Sequence, residues 1–172
     1  MGEHYCRIFY NLYGLETVSL RYFNIFGPWQ DPMSQYSAAI PKFITAVLKG
    51  NPINIYGDGE QSRDFTYVDN VINANLLACE AQNTMGEVIN IACGMETSLN
   101  QLISAIEKET GIKANAVYTD PKSGDVKHSC ADISKAKKLI GYKPIVAFDE
   151  GLVRTVKWFT NGNIDKTKGY RE

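Results

Sequence analysis

Two side chains in this sequence have the type and setting to do chemistry: an arginine just after a glycine turn, and an asparagine at the end of a β-rich run. Arg63 lies between Ser62 and Asp64 in the segment Ile55-Tyr-Gly-Asp-Gly-Glu-Gln-Ser-Arg-Asp-Phe-Thr-Tyr-Val-Asp69. A guanidinium held on strand backbone is a fork for an anion, and phosphate matches its geometry best. The same arginine could instead form an ordinary surface pair with Asp64. Asn24 closes Thr17-Val-Ser-Leu-Arg-Tyr-Phe-Asn24 ahead of Gly27-Pro28. In doubly wound sheets ligands gather at the carboxyl ends of strands, and an amide there can both donate and accept. The competing role for Asn24 is to cap the turn before Pro28.

These two residues need elements to hold them. Ile53, Ile55 and Tyr56 read as a strand entering the Gly57-Asp-Gly59 turn, and Phe65, Tyr67 and Val68 as one leaving it, so the segment is a β-hairpin or a strand–loop–strand. Residues 17–23 and 88–92 lack polar alternation, as expected of strands buried on both faces of a parallel sheet. Tyr5, Ile8, Phe9, Leu12 and Tyr13 recur at helical spacing before Gly14. Polar residues 29–37 suit a loop that could cover a site, and a second amphipathic helix begins near Pro41 and stops at Gly50. Asp69 is the expected N-cap of a helix over 70–82, and Ser98-x-x-Gln101 is a capping box for a helix over 99–110. A short strand over 116–119, a turn-rich loop from Pro121 to Asp125, a helix capped by Asp132 and a final helix over 150–160 complete the chain, with a polar tail from Asn161. The alternation of strands and helices predicts an α/β fold. Gly57-x-Gly59-x-x-Ser62 imitates a dinucleotide fingerprint but opens onto a strand, not a helix, which removes that reading.

The composition narrows the function classes. A chain of 172 residues with 44% hydrophobic and 22% charged residues is ordinary for a globular domain with a sizeable core. Its net charge of −1 gives no basic face for nucleic acid, and Lys135-Ala-Lys-Lys138 reads as the solvated side of a helix. No apolar run approaches the ~20 residues that span a bilayer, and Met1-Gly-Glu-His-Tyr has no signal-peptide pattern. Cys6, Cys79, Cys93 and Cys130 are scattered, which favours reduced, buried thiols in a cytoplasmic protein over disulfides or zinc. His4 and His128 stand in no ligand-spaced cluster, so no metal is expected.

Four segments in order carry a resemblance: Leu20-Arg-Tyr-Phe-Asn-Ile-Phe-Gly-Pro28, the Ile55–Asp69 segment, Asn90-Ile-Ala-x-Gly94, and Ser123-Gly-Asp-Val-Lys-His-Ser129 followed by Ala131-Asp132. Together they resemble the C-terminal half of the NAD-dependent epimerase/dehydratase family, the extended short-chain dehydrogenase/reductases acting on nucleotide sugars. The Ser-Gly-Asp-Val-x-His-Ser stretch is most similar to the UDP-N-acetylglucosamine/UDP-glucose 4-epimerases of that family. The resemblance implies the last strands and helices of a Rossmann-like sheet over 1–28 and 69–95, and a small α/β substrate-binding domain over 29–68 and 96–160, followed by the tail 161–172.

It also implies roles. Asn24 and Arg63 would bind the diphosphate of a UDP-sugar. Ala39 and Ile40 would line the nucleotide, and Ile55 would lie against the uracil. Lys122 and Asp125 would close over the phosphate and the ribose hydroxyls, with Lys122 standing where the family usually has arginine. Ser129 would border the sugar ring and leave room for an N-acetyl group; it could equally cap the helix at Asp132. Tyr22 and Phe23 would pass near the nicotinamide of NAD. The family's Gly-x-x-Gly-x-x-Gly loop, catalytic Ser or Thr and Tyr-x-x-x-Lys pair are not among these residues, so no catalytic residue is expected and the chain is expected to be inactive alone. The alternatives are a piece of a sister dehydratase or decarboxylase, and a UDP-sugar-binding or dimerisation module. A homo-oligomer or a missing N-terminal half is the expected protein partner, through the helix over 3–13 and the strand edges.

Overall fold

The computed structural model describes residues 1–34, 39–82 and 84–162. The expected loop over 35–37 and the tail over 163–172 lie outside the described residues. The first half of the chain runs α1 (Gly2–Tyr13), β1 (Ser19–Tyr22), β2 (Ile25–Phe26), α2 (Ala39–Lys49), β3 (Pro52–Tyr56), β4 (Ser62–Arg63), β5 (Thr66–Tyr67) and α3 (Val68–Glu80). The second runs β6 (Val88–Ile91), β7 (Thr97–Ser98), α4 (Leu99–Thr110), β8 (Asn115–Thr119), β9 (His128–Ser129), α5 (Ser134–Ile140) and α6 (Phe148–Thr160). This is the predicted α/β class, and no described helix is long and apolar enough to cross a membrane.

Small parallel pairings build the sheets: β1 with β6, β2 with β5, and β3 with β8. β4 lies between β7, antiparallel, and β9, parallel. The Ile55–Asp69 segment is therefore a strand–loop–strand, and the hairpin alternative is excluded. Its flanking strands pair with different partners because β3 and β8 share a long register, Pro52 to Tyr56 against Asn115 to Thr119, that a return strand would have to displace.

Two apolar clusters form the core. The larger joins Ile40, Ile44 and Val47 of α2, Leu102, Ile103 and Ile106 of α4, Leu152, Val156 and Phe159 of α6, and the strand residues Phe26, Ile53, Ile55, Phe65 and Tyr67. Each large side chain fully removed from water there contributes roughly 1.5–3 kcal/mol. Pro41 is the third residue of α2, where its missing N–H is one of the four that a helix start leaves unpaired anyway. The Ser98 capping box forms in full, and Gly111 ends α4 at φ 68°. Gly151 lets α6 lie against the Tyr67 ring, where an added Cβ would come within 2.7 Å of Cδ2. The second cluster gathers Ala74 and Ala78 of α3, Ile89, Ile91 and Ala92, and Ala136, Ile140 and Tyr142 around α5. Thus α5, expected with the substrate-binding segments, packs on β6 and α3.

Several local expectations are corrected. The strand over 17–23 is not buried on both faces: β1 has only β6 beside it among the described residues, and Arg21 and Tyr22 are exposed. β6 alternates instead, burying Ile89 and Ile91. Asp69 is not the cap of α3, because the chain passes straight from β5 into the helix with Tyr67 at the N-cap. Asp69 sits in the first turn, where its charge suits the helix dipole and pairs with Arg154 at 3.0 Å. Asp132 accepts from the Ser134 N–H at 2.8 Å one residue ahead of the N-cap Ile133. All four cysteines are free, but Cys79 and Cys130 are exposed, even though the Cys130 thiol lies 3.8 Å from Asp64 Oδ2.

Asp64 does not pair with Arg63. It is fully buried, and its carboxylate accepts from the backbone N–H groups of Cys93 (2.9 Å), Gly94 (2.9 Å) and Ala131 (3.2 Å). It thereby ties the link between β4 and β5 to the end of β6 and to the start of the α5 region. The same charge, after burial itself, pushes the Cys93 thiol up to about 11, so that sulfur stays protonated at neutral pH. Asp64→Ala would leave three main-chain donors, that of Ala131 buried, without this acceptor and is expected to cost about 3–5 kcal/mol. The nearly isosteric Asp64→Asn, which turns an N–H₂ toward donors, is expected to cost a large part of that. Urea unfolding measures both, and a loss under about 1 kcal/mol for Asp64→Ala would contradict the strut role.

Candidate functional site

β3 and β8 run parallel, so both carboxyl ends open on the same side, and a cleft of about 510 Å³ lies there. Gly57, at φ 85°, carries the chain out of β3 while its N–H still donates to the Thr119 carbonyl at 2.8 Å. A Cβ at this φ would be strained, so glycine is what allows the strand to end in a sharp turn while keeping its last ladder bond. Gln61 donates from its side chain to the Tyr56 carbonyl at 2.7 Å and braces the returning chain. Tyr56, Pro121, Lys122 and Asp125 line the cleft, with Asp58 and Lys127 paired across its edge at 3.7 Å. The Glu60 N–H, more than Lys127, holds the Asp58 carboxyl below its usual value.

Arg63, on β4, does not line this cleft itself and meets its edge through Asp125. One terminal nitrogen, Nη2, donates to Asp125 Oδ1 at 2.7 Å. Nη1 donates to the Ser62 carbonyl at 2.8 Å and reaches the Lys127 carbonyl at 3.5 Å. The guanidinium is held in a fixed plane by main chain on one side and offers its Nη2 edge to a single carboxylate. β9 runs along it in register, placing Ser129 opposite Arg63 and His128 opposite Ser62. His128 Nδ1 and Ser62 Oγ are 2.9 Å apart. The arrangement can hold an anion and a planar or hydroxylated group beside it.

Asn24 takes the left-handed conformation at φ 36°, which asparagine tolerates better than most side chains. Its Nδ2 donates to the Asp64 carbonyl at 3.3 Å, and its own carbonyl accepts from the Thr66 N–H at 3.2 Å. One peptide unit thus separates the Asn24 contact from Arg63. The turn before Pro28 is held instead by Gln30, whose side-chain amide donates to the Ile25 carbonyl at 3.1 Å.

The other predicted residues fall into two groups. Lys122 and Asp125 share the cleft, and Ser129 stands beside Arg63, half-buried. Ile40 and Ile55 are 0% exposed in the larger core cluster, so only their backbones have anything to offer a ligand. Ala39 is half-buried at the start of α2. Tyr22 projects from the end of β1 with its hydroxyl donating to Asn75 Oδ1 at 3.0 Å, and Phe23 packs against the second cluster. Sequence reasoning passed over Tyr56 and Gln61. The signal for Tyr56 was available: β3 alternates with a period of two, so if Ile53 and Ile55 face the core, Tyr56 faces the cleft. Nothing in one sequence singles out Gln61 or Asp64.

A dinucleotide needs a glycine-rich turn from a strand into a helix. Here β1 leads into β2 and β6 into β7, so the described residues supply no such cradle. They do not by themselves fit a whole NAD molecule.

The comparisons with known proteins are consistent with this geometry. The model of the NAD dependent epimerase/dehydratase family matches residues 1–92. A putative UDP-glucose 4-epimerase of Methanocaldococcus jannaschii is 42% identical over 95% of this chain and 52% of its own length. The structure of a UDP-N-acetylglucosamine 4-epimerase from Methanobrevibacter ruminantium, in complex with UDP-N-acetylmuramic acid, superposes with a TM-score of 0.85 at 48% identity, over 93% of this chain and 51% of that one. A UDP-glucuronic acid 4-epimerase from Bacillus cereus, in complex with UDP-glucuronic acid and NAD, gives 0.83 at 37% identity, over 93% and 50%. The chain spans about half the length of the relatives it matches, and NAD is the cofactor of their family. With its parallel α/β layers and the carboxyl-end cleft, the chain belongs to the NAD-dependent epimerase/dehydratase family and has the fold of the C-terminal part of an extended short-chain dehydrogenase/reductase.

Proposed function

We propose that this chain is the nucleotide-sugar-binding portion of a UDP-sugar 4-epimerase, acting on UDP-N-acetylglucosamine/UDP-N-acetylgalactosamine or UDP-glucose/UDP-galactose, and inactive alone. The observation that carries this reading is Arg63, fixed by the Ser62 carbonyl and bonded to Asp125, which lines the cleft together with Lys122. In that role Arg63 and the Asn24 region take the diphosphate, Lys122 adds a point charge, and Asp125 accepts from the ribose hydroxyls. Lysine lacks the bidentate fork, so the grip at position 122 is looser than an arginine's. The nucleotide lies against Ala39, the backbone of Ile40 and Ile55, and the exposed ring of Tyr56.

Epimerisation requires the sugar to turn over between hydride removal and return, so the diphosphate must be held tightly and the sugar loosely. NAD supplies the hydride chemistry in the family. The residues of this chain suit the tight half of the task, with Tyr22 and Phe23 as the only contacts offered to the nicotinamide. In this reading residues 1–28 and 69–95 belong with the cofactor-binding sheet, and residues 29–68 and 96–160 form the substrate-binding part. A sister dehydratase or decarboxylase remains the second reading; the Ser-Gly-Asp-Val-Lys-His-Ser129 stretch favours the epimerase.

α1 supports a protein partner. It has no buried residue, and Tyr5, Ile8, Phe9, Leu12 and Tyr13 are all exposed along it. An apolar helix face of this kind is a docking surface, and the free edge of β1 is a second. In the proposed assembly a second copy packs on α1, and further strands of the cofactor-binding half extend the sheet from β1.

Three outcomes test the proposal. Titration calorimetry of the chain should show weak UDP binding that falls about tenfold or more in Arg63→Ala, and no measurable NAD⁺ binding. UDP binding indifferent to Arg63→Ala would overturn the site. In the full-length enzyme, Ser129→Tyr should lower turnover of N-acetylated sugars relative to plain hexoses, and an unchanged ratio removes Ser129 from sugar selection. Light scattering should give at least a dimer, dispersed by Leu12→Glu; a monomeric wild-type chain would contradict the role of α1.

A further inference from the structure

Arg63 is the residue that an incoming anion must reach, yet one N–H of its Nη2 already serves Asp125. Asp125 holds it at 2.7 Å, with 21% of the Arg63 side chain and 42% of the Asp125 side chain exposed. The carboxylate lies on the tip of the loop between β8 and β9. Both ends of that loop are tied down: Gly57 donates to Thr119 before it, and Ser62 donates to the Lys127 carbonyl at 2.8 Å after it. The tip itself is open. Asp125 closes a turn by donating from its N–H to the Lys122 carbonyl at 3.2 Å, and Gly124, at φ 84°, has no atom within 4 Å of where a Cβ would be. A change at this glycine could swing Asp125 without moving β9.

We infer that Asp125 is a resident competitor for the Arg63 fork, and that it makes the site select diphosphates carrying hydroxyl groups over bare inorganic anions. The inference rests on the reading of Arg63 as the diphosphate ligand. An anion that takes the Nη2 N–H held by Asp125 evicts that carboxylate, and one that binds beside it still faces its negative charge; both are unfavourable. Inorganic phosphate or pyrophosphate offers nothing in return. A nucleoside diphosphate brings vicinal hydroxyls a few ångströms from its phosphates, and these can donate to the displaced carboxylate in charge-assisted hydrogen bonds. One residue thus serves as a stand-in anion in the empty site and as an acceptor in the filled one. The pair is part-exposed, so the barrier it sets is modest, but it applies to one ligand class and not the other. Selectivity of this kind arises from penalising the wrong partner as much as from rewarding the right one.

Calorimetry with inorganic pyrophosphate and with UDP, at one fixed ionic strength, tests this on the wild-type chain, Asp125→Asn, Asp125→Ala and Arg63→Gln. Fixed salt matters because screening weakens the Arg63–Asp125 pair. Both Asp125 variants should bind pyrophosphate about 2–5-fold more tightly than wild type, and UDP no more tightly or more weakly, so that the preference for UDP falls. Pyrophosphate binding that is unchanged or weakened in both variants overturns the inference. Equal strengthening toward both ligands also overturns it, since Asp125 would then block without selecting. A thermal melt confirms that each variant is folded, and the two Asp125 variants must agree in sign. Arg63→Gln separates the two levels of the argument. If it leaves pyrophosphate and UDP binding untouched, the anion site itself is wrong; if it weakens both while the Asp125 variants do nothing, only the competitor role is wrong.

Discussion

A carboxylate removed from water must be compensated or it unfolds what surrounds it, and Asp64 is compensated chiefly by main chain, with the Cys130 thiol 3.8 Å from Oδ2 as its side-chain partner. Three N–H groups, from Cys93, Gly94 and Ala131, converge on its oxygens. These belong to segments about 30 and 67 residues further along the chain. The bond set therefore fixes the link between β4 and β5, the exit of β6 and the approach to α5 relative to one another. Asn24 adds the end of β1 through the Asp64 carbonyl. Because buried N–H groups cannot be left without acceptors, this one side chain specifies where four strand ends meet.

The candidate site inherits its geometry from that junction. Arg63 precedes Asp64, so the orientation of the buried carboxylate sets which way the guanidinium leaves β4. β9 is drawn alongside in parallel register, bringing Ser129 opposite Arg63 and carrying the Lys122–Lys127 loop over the cleft. The carboxyl ends of β3 and β8 form the floor. Rigid main chain positions the fork, while the groups that close over it come from an open turn at Gly124.

The two core clusters differ in how complete they are. The cluster around α2, α4 and α6 closes on itself with Ile40, Ile44, Ile55, Leu102, Ile106 and Leu152 at full or nearly full burial. Beside the cluster around β6 and α5, β1 has only β6 as a neighbour among the described residues, and α1 exposes aromatic and aliphatic side chains. The larger cluster is closed among the described residues, and the smaller one lies beside surfaces suited to a further layer.

Local pattern carried much of the architecture. The helical spacing of Leu99, Leu102, Ile103 and Ile106, the Ser98–Gln101 box and the terminal glycines 14, 111 and 141 each act within a few residues, so a single sequence expresses them. The Gly57 turn and the arginine after it were legible for the same reason, as were the ordered motifs that mark the family. Tertiary contact decided the rest. It paired β3 with β8 instead of folding a hairpin, buried Ile55 and turned Tyr56 to the cleft, gave Arg63 to Asp125, and set Asp64 against backbone from distant segments. Those choices depend on which long-range hydrogen bonds and apolar faces can be satisfied together, a condition on the whole chain that spacing along it does not express.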